Sequence, residues 1–478
     1  MDLKLNRTSK KAIYKQIADY IELGISTGMF SPDSMLPSER ILAKDLEVNR
    51  STVVAAYEEL QSLGIVERKK GSGTWISTDI WGVTHRRIPN WNRYMKDGSL
   101  LPNLPFVQQI RSENRKHHII NLSSGELAPS LLPREQFQTI FAENPFMEGL
   151  GYDHPKGNAS LRGTISQHLK EYRNIHCSSS SILVTSGAQQ ALHLVVQCLL
   201  KPGDAIAIED PSYFYSLPLF QSAGLKVFYL QVDSQGVDPK DIIKLYKKHR
   251  VRMIFLNTAY QNPTGVSLKS DRLKEILEIS TEYGIPIVED DPYSLTSFNG
   301  KNSSTLKSLD ENGNVLYISS LSKIVASGLR IGWITGPEKV IDRLADAKQQ
   351  VDFGHSIFPQ WVANEFLKSP YFDSHISMLR NELKKRRDEI INYLVEFLND
   401  EIEYIAPEGG IHLWCRLKTK FDEKLLFEEA IKVGVSFVPG SVFGSRTDFV
   451  RLTFGSVELN QIREGMARFA EALKASKK

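Results

Sequence analysis

Cysteine is scarce: the 478 residues hold three, Cys177, Cys198 and Cys415. Three cannot form a paired framework, and none stands at CxxC spacing. Buried thiols in a reducing compartment fit them best, and no metal site is expected. Long apolar runs are missing too. No stretch approaches the roughly 20 residues a membrane span needs, and the opening MDLKLNRTSKKAIYK lacks the apolar core of a secretory signal. A cytoplasmic protein is expected. Charge of one sign is also lacking, since 59 Lys and Arg against 56 Asp and Glu leave a formal +3. That balance neither suggests nor excludes nucleic acid, because a DNA-reading face needs local clustering rather than a basic whole. Repeats and low-complexity tracts are absent as well.

What is present is ordinary globular material, 41% apolar and 24% charged, in a chain long enough to need at least two cores. Three regions differ in texture. Residues 8–78 carry helical periodicity followed by a glycine turn. Residues 79–118 lose periodicity and hold Pro89, Pro102 and Pro105, with seven Lys and Arg (Arg86, Arg87, Arg93, Lys96, Arg111, Arg115, Lys116) against Asp79, Asp97 and Glu113. This stretch reads as a basic linker. Residues 119–478 alternate short apolar runs with amphipathic stretches, the pattern of an α/β domain with a largely parallel sheet. Strands are expected at Ile182–Val184, Ala205–Ile208, Arg252–Leu256, Pro286–Val288 and Val315–Ile318. Their carboxyl ends are where a ligand would gather.

In the first region Ile13, Ile17, Ile21 and Ile25 recur at helical spacing. Ser38 is a good N-cap for a helix Glu39–Leu46, and Val48–Val53 reads as a turn into a second helix that Gly64 stops near Leu63. Ile65–Arg68 and Thr74–Ser77 can pair across Lys69-Lys70-Gly71-Ser72-Gly73 as a wing with a basic tip. A helix fits the major groove and its first turn reaches base edges. Arg50, Ser51 and Thr52 occupy that turn, while Arg40, Lys69 and Lys70 suit the phosphate backbone. The stretch LPSERILAKDLEVNRSTVVAAYEELQSLGIVERKKGSGTWIS closely resembles the winged helix-turn-helix of the GntR family, with Asn49 departing from the family's usual Ser. The resemblance implies DNA contacts at Arg40, Arg50, Thr52 and Gly73.

In the third region Lys323 follows a strand within Ser319-Ser320-Leu321-Ser322-Lys323, shortly before Arg330. A lysine among hydroxyls at a strand end can form a Schiff base if its pKa is lowered. Ser320, Ser322 and Arg330 suit a phosphate dianion, as do the free amides where Ser186-Gly187-Ala188-Gln189 opens a helix. Asn262 in QNPTG and Asp290 and Tyr293 in EDDPY each follow a strand. A carboxylate facing a pyridine nitrogen makes the ring an electron sink, and Tyr213 offers a ring to stack on it.

Together these motifs closely resemble fold-type-I, class-I aminotransferases over roughly residues 120–470. The resemblance implies a pyridoxal 5'-phosphate aldimine on Lys323, Asp290 on the pyridine nitrogen, and Asn262 and Tyr293 on the phenolic oxygen. It also implies Tyr213 on the ring face, with Ser186, Gly187, Ala188, Gln189, Ser320, Ser322 and Arg330 on the phosphate. Asp290 is chosen over Asp291 by the family's Asp-x-x-Tyr spacing. Tyr152 aligns with a tyrosine that reaches the neighbouring subunit's cofactor phosphate, so a homodimer is implied. Arg451 matches an arginine that grips a substrate carboxylate, the other reading being an ordinary ion pair. His412, in Gly-x-His, is either a core histidine or a ligand.

The order of modules resembles the MocR branch of the GntR family. The expectation is a DNA-binding transcriptional regulator that senses pyridoxal phosphate or an amino compound through an internal or external aldimine. The alternative is a working aminotransferase with an accessory DNA-binding domain. Linker contacts to DNA through Arg86 and Arg87 are a third expectation. Effector, operator and sign of regulation stay open.

Overall fold

The computed structural model describes residues 3, 5–69, 71–78, 98–147, 149–300, 304–444 and 446–477. The chain divides into two compact units, Met1–Gly98 and Ser99–Lys478.

The first unit is built from α1 (Ile13–Ser26), α2 (Glu39–Asp45), α3 (Arg50–Ser62) and a hairpin of β1 (Val66–Lys69) and β2 (Gly73–Ile76). The isoleucine stripe forms because residues four apart share a helix face: Ile17, Ile21 and Ile25 are buried, with Val53, Ala56, Tyr57 and Leu60 from α3. Ser38 caps α2 by accepting from the Ile41 amide at 3.4 Å. The buried Tyr57 hydroxyl donates to the Pro37 carbonyl at 2.7 Å, fixing the chain ahead of that cap. Gly64 ends α3 at φ +69°. In the wing, Lys69 pairs with Gly73 and Val66 with Ile76, antiparallel.

Residues 79–97, with Arg86 and Arg87, lie outside the described residues. The rest of the segment read as linker is not all linker. Residues Pro105–Glu113 form a helix, α4, with proline in its first turn, where a missing N–H costs nothing. Its apolar side packs on the second unit: Ile110 is buried and Phe106 meets Phe427 edge-on at 5.5 Å. The prolines and charges mask a short amphipathic pattern that only packing reveals.

The second unit opens with β3 (Ile120–Asn121) and centres on an eight-stranded sheet. Its strands are β4 (Ile182–Thr185), β5 (Ala205–Asp210), β6 (Lys226–Asp233), β7 (Gly236–Val237), β8 (Met253–Leu256), β9 (Ile287–Asp290), β10 (Val315–Ser320) and β11 (Gly332–Thr335). The order is β4-β11-β10-β9-β8-β5-β6-β7. All five expected strands are there. β6, β7 and β11 were not anticipated, and β11 runs antiparallel to both neighbours. The remaining strands are β12 (Ile402–Tyr404), β13 (His412–Leu417), β14 (Val435–Ser436), β15 (Val438–Pro439) and β16 (Phe449–Thr453). A second, antiparallel sheet, β12-β13-β16-β15, makes the smaller carboxyl-terminal layer, and β14 pairs with β3. Strands β5, β8, β9 and β10, and the edge strand β4, are buried along their whole length, as a sheet covered by helices requires. Among the described residues no helix is long and apolar enough to cross a membrane.

Candidate functional site

The carboxyl ends of β4, β5, β8, β9 and β10 converge on a cavity of about 350 Å³, into which Gly187, Tyr213, Asn257, Asp290 and Lys323 are delivered. Gly187, Ala188, Gln189, Tyr213, Asn262, Asp290, Tyr293, Ser320, Ser322, Lys323, Arg330 and Arg451, all singled out in the sequence, line it together. Ser186 does not; its carbonyl accepts from Arg330 Nη2 at 2.9 Å instead. Tyr152 is 85% exposed and outside the cavity, against the Phe353 ring at 5.4 Å.

Lys323 sits one turn past β10 with Nζ 2.5 Å from the Gly125 carbonyl. Burial, the largest cause, lowers its pKa to about 8; Arg451 and Arg330 add to this while Glu126 and Asp290 oppose it. The amine is thus deprotonated to a useful extent near neutral pH, which nucleophilic attack requires.

Side-chain alternation sorts the two aspartates. Asp291 points away from the cavity. Its carboxylate lies 3.0 Å from Arg173 and accepts from the Tyr317 hydroxyl at 2.8 Å. Asp290 points in, with a buried Oδ1 that has no protein partner. Burial first, then the neighbouring Asp291, raises its carboxyl to about 7, while Lys323 pulls it down. An unpaired buried carboxylate calls for a cationic donor.

At the other end of the cavity Gly187 has φ +75°, and a Cβ there would stand 2.7 Å from Arg330 Nη2. A Cβ on Gly332 would meet the Gly187 backbone at 2.7 Å. Backbone, guanidinium and the opening turn of the helix Ala188–Leu199, which has no side-chain cap, therefore close on one small volume. That cradle suits a phosphate. Orphaned carboxylate, anion cradle and lowered lysine together fit pyridoxal phosphate.

Arg451, on β16, is fully enclosed: Nη1 donates to Asn262 Oδ1 at 2.9 Å, Nη2 donates to the Ser123 carbonyl, and Nε has no protein partner. Burial lowers its pKa to about 10, with Tyr293 and Tyr213 opposing. It remains a cation at neutral pH with donors to spare. Its partners among the described residues are the Asn262 amide oxygen and the Ser123 carbonyl rather than a carboxylate.

Sequence reasoning missed three contributors. Asn257 accepts from the Asn262 amide and donates to the Asp290 carbonyl, both at 2.8 Å, which ties two site loops together. Arg111 reaches the cavity from α4, and Glu126 from the loop after β3. An apolar period in Phe106, Val107 and Ile110 was the one signal that would have placed Arg111.

In the first unit, Arg50 is 71% exposed while bonded to Glu39 at 3.0 Å, and Glu39 also takes Arg68 at 3.0 Å. Arg40, Ser51 and Gly73 are exposed and Thr52 is half-buried. Lys69 meets Asp33 at 2.8 Å and lies over the Trp75 ring. Lys70 lies outside the described residues.

A family model for aminotransferase class I and II matches residues 117–469, and one for bacterial regulatory proteins, gntR family, matches residues 13–76. The HTH-type transcriptional regulator YisV of Bacillus subtilis is 37% identical over 469 residues, 98% of this chain and 97% of its own. The HTH-type transcriptional regulator NorG of Staphylococcus aureus is 32% identical over 437 residues, 90% of this chain and 97% of its own. Among solved structures, kynurenine aminotransferase of Pyrococcus horikoshii, with PMP bound, has a TM-score of 0.75 at 32% identity, covering 80% of this chain and 98% of that one. The chain belongs to the MocR-like GntR-family transcriptional regulators, a DNA-binding helix-turn-helix fused to an aminotransferase-like body of the pyridoxal-phosphate-dependent class I and II family.

Proposed function

We propose that this regulator senses pyridoxal phosphate, or an amino compound that reacts with it, in the cavity around Lys323, and changes its affinity for operator DNA in response. The observation that carries the reading is a cavity that gathers Asp290, Arg330 and Arg451 around a lysine lowered to about 8, on one chain with a winged helix whose Arg50 and Ser51 are exposed. Bound there, pyridoxal phosphate supplies an aldehyde that condenses with amines and a ring that accepts electrons. The protein's own groups do the rest. Arg330, Ser320, Ser322 and the amides of Gly187, Ala188 and Gln189 would hold the phosphate. Asp290 would keep a proton on the ring nitrogen, Asn262 and Tyr293 would offer hydrogen bonds to the phenolic oxygen, and Tyr213 would supply an aromatic face to the ring. Arg451 offers its free donors to a carboxylate. Ligand binding shifts DNA affinity only if it favours one arrangement of the two units.

A homodimer completes the reading. Met147, Leu150, Tyr152, Val351 and Phe353 are each at least 65% exposed, an apolar surface that a second copy would cover. Tyr152 would then serve the partner's cavity. The finer DNA assignments are Arg50, Ser51 and Thr52 to base edges, with Arg40, Lys69, Lys70 and Gly73 along the backbone.

Operator affinity for the DNA upstream of the gene, measured at fixed salt with and without pyridoxal phosphate and then γ-aminobutyrate, tests the proposal. Different isotherms are expected, and Arg451→Ala should abolish the response to the carboxylate-bearing amine while sparing that to the cofactor. Identical isotherms throughout would defeat effector sensing. In the same assay Arg50→Ala should weaken operator binding by about 1–3 kcal/mol. Its thermal midpoint should hardly move, because an exposed ion pair is worth roughly 0–1 kcal/mol. Full binding by that variant would remove Arg50 from the interface.

The retained lysine, aspartate and carboxylate-facing arginine also suit transamination. Repeated turnover of an amino acid with a keto acid would favour an enzyme carrying a reader domain.

A further inference from the structure

We infer that His412 is a positioning residue that polarises the Tyr293 hydroxyl toward the cofactor's phenolic oxygen, tuning the bound cofactor's protonation from behind the cavity wall. The inference rests on the cofactor placement proposed above.

His412 opens β13 and is 2% exposed. It does not line the cavity. Both ring nitrogens face hydroxyls: Nε2 lies 3.1 Å from the Tyr293 hydroxyl, and Nδ1 lies 3.0 Å from the Thr453 hydroxyl on β16. The two rings meet edge-on at 5.6 Å and 81°. Burial, then the charges of Arg451 and Lys323, hold the imidazole neutral, so it has one N–H and one lone pair.

Two proton arrangements satisfy this trio. In one, Thr453 donates to Nδ1, Nε2–H donates to the tyrosine oxygen, and the tyrosine proton stays free for the cavity. In the other, Tyr293 spends its proton on Nε2 and presents only lone pairs to the cavity. The phenolic oxygen decides between them. It carries negative charge and would be repelled by lone pairs, so the first arrangement prevails with cofactor bound. Arg451 already occupies Asn262 Oδ1 at 2.9 Å, so Asn262 has only its amide N–H groups to give: one bonds the Tyr293 hydroxyl oxygen, and the other is left as the companion donor. A chain of donors running Thr453, His412, Tyr293 strengthens its last link. A histidine here therefore does what an apolar residue cannot.

The readout is the pH midpoint of the bound cofactor's visible absorption band. The proton-free form carries uncompensated charge on the phenolic oxygen, so a stronger donor there lowers the midpoint. The charged groups around Lys323, namely Glu126, Arg451, Asp290 and Arg330, are unaltered in every variant. Titration of the full-length holoprotein should place His412→Phe about half to one pH unit above wild type. His412→Gln, whose side-chain amide can still donate toward Tyr293, should return toward wild type and shows that the position tolerates change. Thr453→Val should move the midpoint upward by less. The double variant with Tyr293→Phe should shift no further than Tyr293→Phe alone.

A His412→Phe midpoint equal to wild type, or a shift that adds in full to that of Tyr293→Phe, would overturn the inference. Wild-type protein that develops no visible band with pyridoxal phosphate would instead overturn the cofactor placement itself. The two failures are distinct.

Discussion

Replacing Lys323 by alanine is expected to abolish the visible absorption band that wild type develops with pyridoxal phosphate, and with it any borohydride-reducible adduct on the chain. Lysine is needed here as a nucleophile rather than as a charge, so Lys323→Arg should fail as completely; arginine stays protonated at every accessible pH. Phosphate contacts remain in both variants, and weak, dialysable binding should survive. The pH dependence follows from the burial that lowers Lys323 to about 8. The attacking amine is the deprotonated form, so the rate of cofactor capture by apoprotein should rise with pH and level off above about 8. A rate still climbing steeply toward the ordinary lysine value of 10.5 would mean that the side chain is not desolvated as the structure places it. A reducible adduct persisting in Lys323→Ala would move the chemistry to another amine.

The second large effect separates two neighbouring carboxylates. Asp291→Ala should destabilise the body by about 3–5 kcal/mol, because it strands the buried Arg173 guanidinium without a counter-charge; Arg173 and Asp291 are 3% and 1% exposed. Asp290→Asn should do the opposite to the apoprotein. Its folded carboxyl is raised to about 7 from an ordinary 3.8, and a group raised on folding costs stability wherever the unfolded chain would ionise it. The cost is absent well below 3.8 and grows to its full value above about 7. Asp290→Asn apoprotein should therefore unfold at a higher temperature than wild type at pH 8, with the gap closing as pH falls toward 4. The same variant should lose affinity for pyridoxal phosphate, since an amide cannot hold a proton on the ring nitrogen as a carboxylate does. Thermal unfolding with and without cofactor reads both. Equal destabilisation by the two substitutions would show that Asp290 has a structural partner after all.

Motif-borne features were legible in advance. Lys323, Asn262, Asp290 and Tyr293 each sit within a few residues of a strand end, and the strands announce themselves by apolar runs bounded by Gly, Ser, Asn or Asp. The reader unit was legible for the same reason: its isoleucine stripe, its Ser38 cap and its glycine stops are short-range signals. Asp290 could be chosen over Asp291 only through the family resemblance and its Asp-x-x-Tyr spacing, and the physical ground, opposite faces with Arg173 waiting on one of them, was invisible. β11 escaped notice because four residues of Gly-Trp-Ile-Thr carry too little pattern to declare an antiparallel insertion between β4 and β10.

Chain order alone therefore determined what kinds of groups this protein brings to chemistry, because residue type, period and cap are properties of neighbours along the backbone. Folding decided which of them meet. Arg111 became part of the cavity only when α4 packed beside Phe427. Asn257 joined Asn262 to Asp290, and His412 came to stand between Tyr293 and Thr453. Such encounters join positions far apart along the chain, 119 residues for Tyr293 and His412 and 328 for Ser123 and Arg451. They are settled by burial of apolar area and satisfaction of enclosed polar groups over the whole body, a sum that no local stretch records.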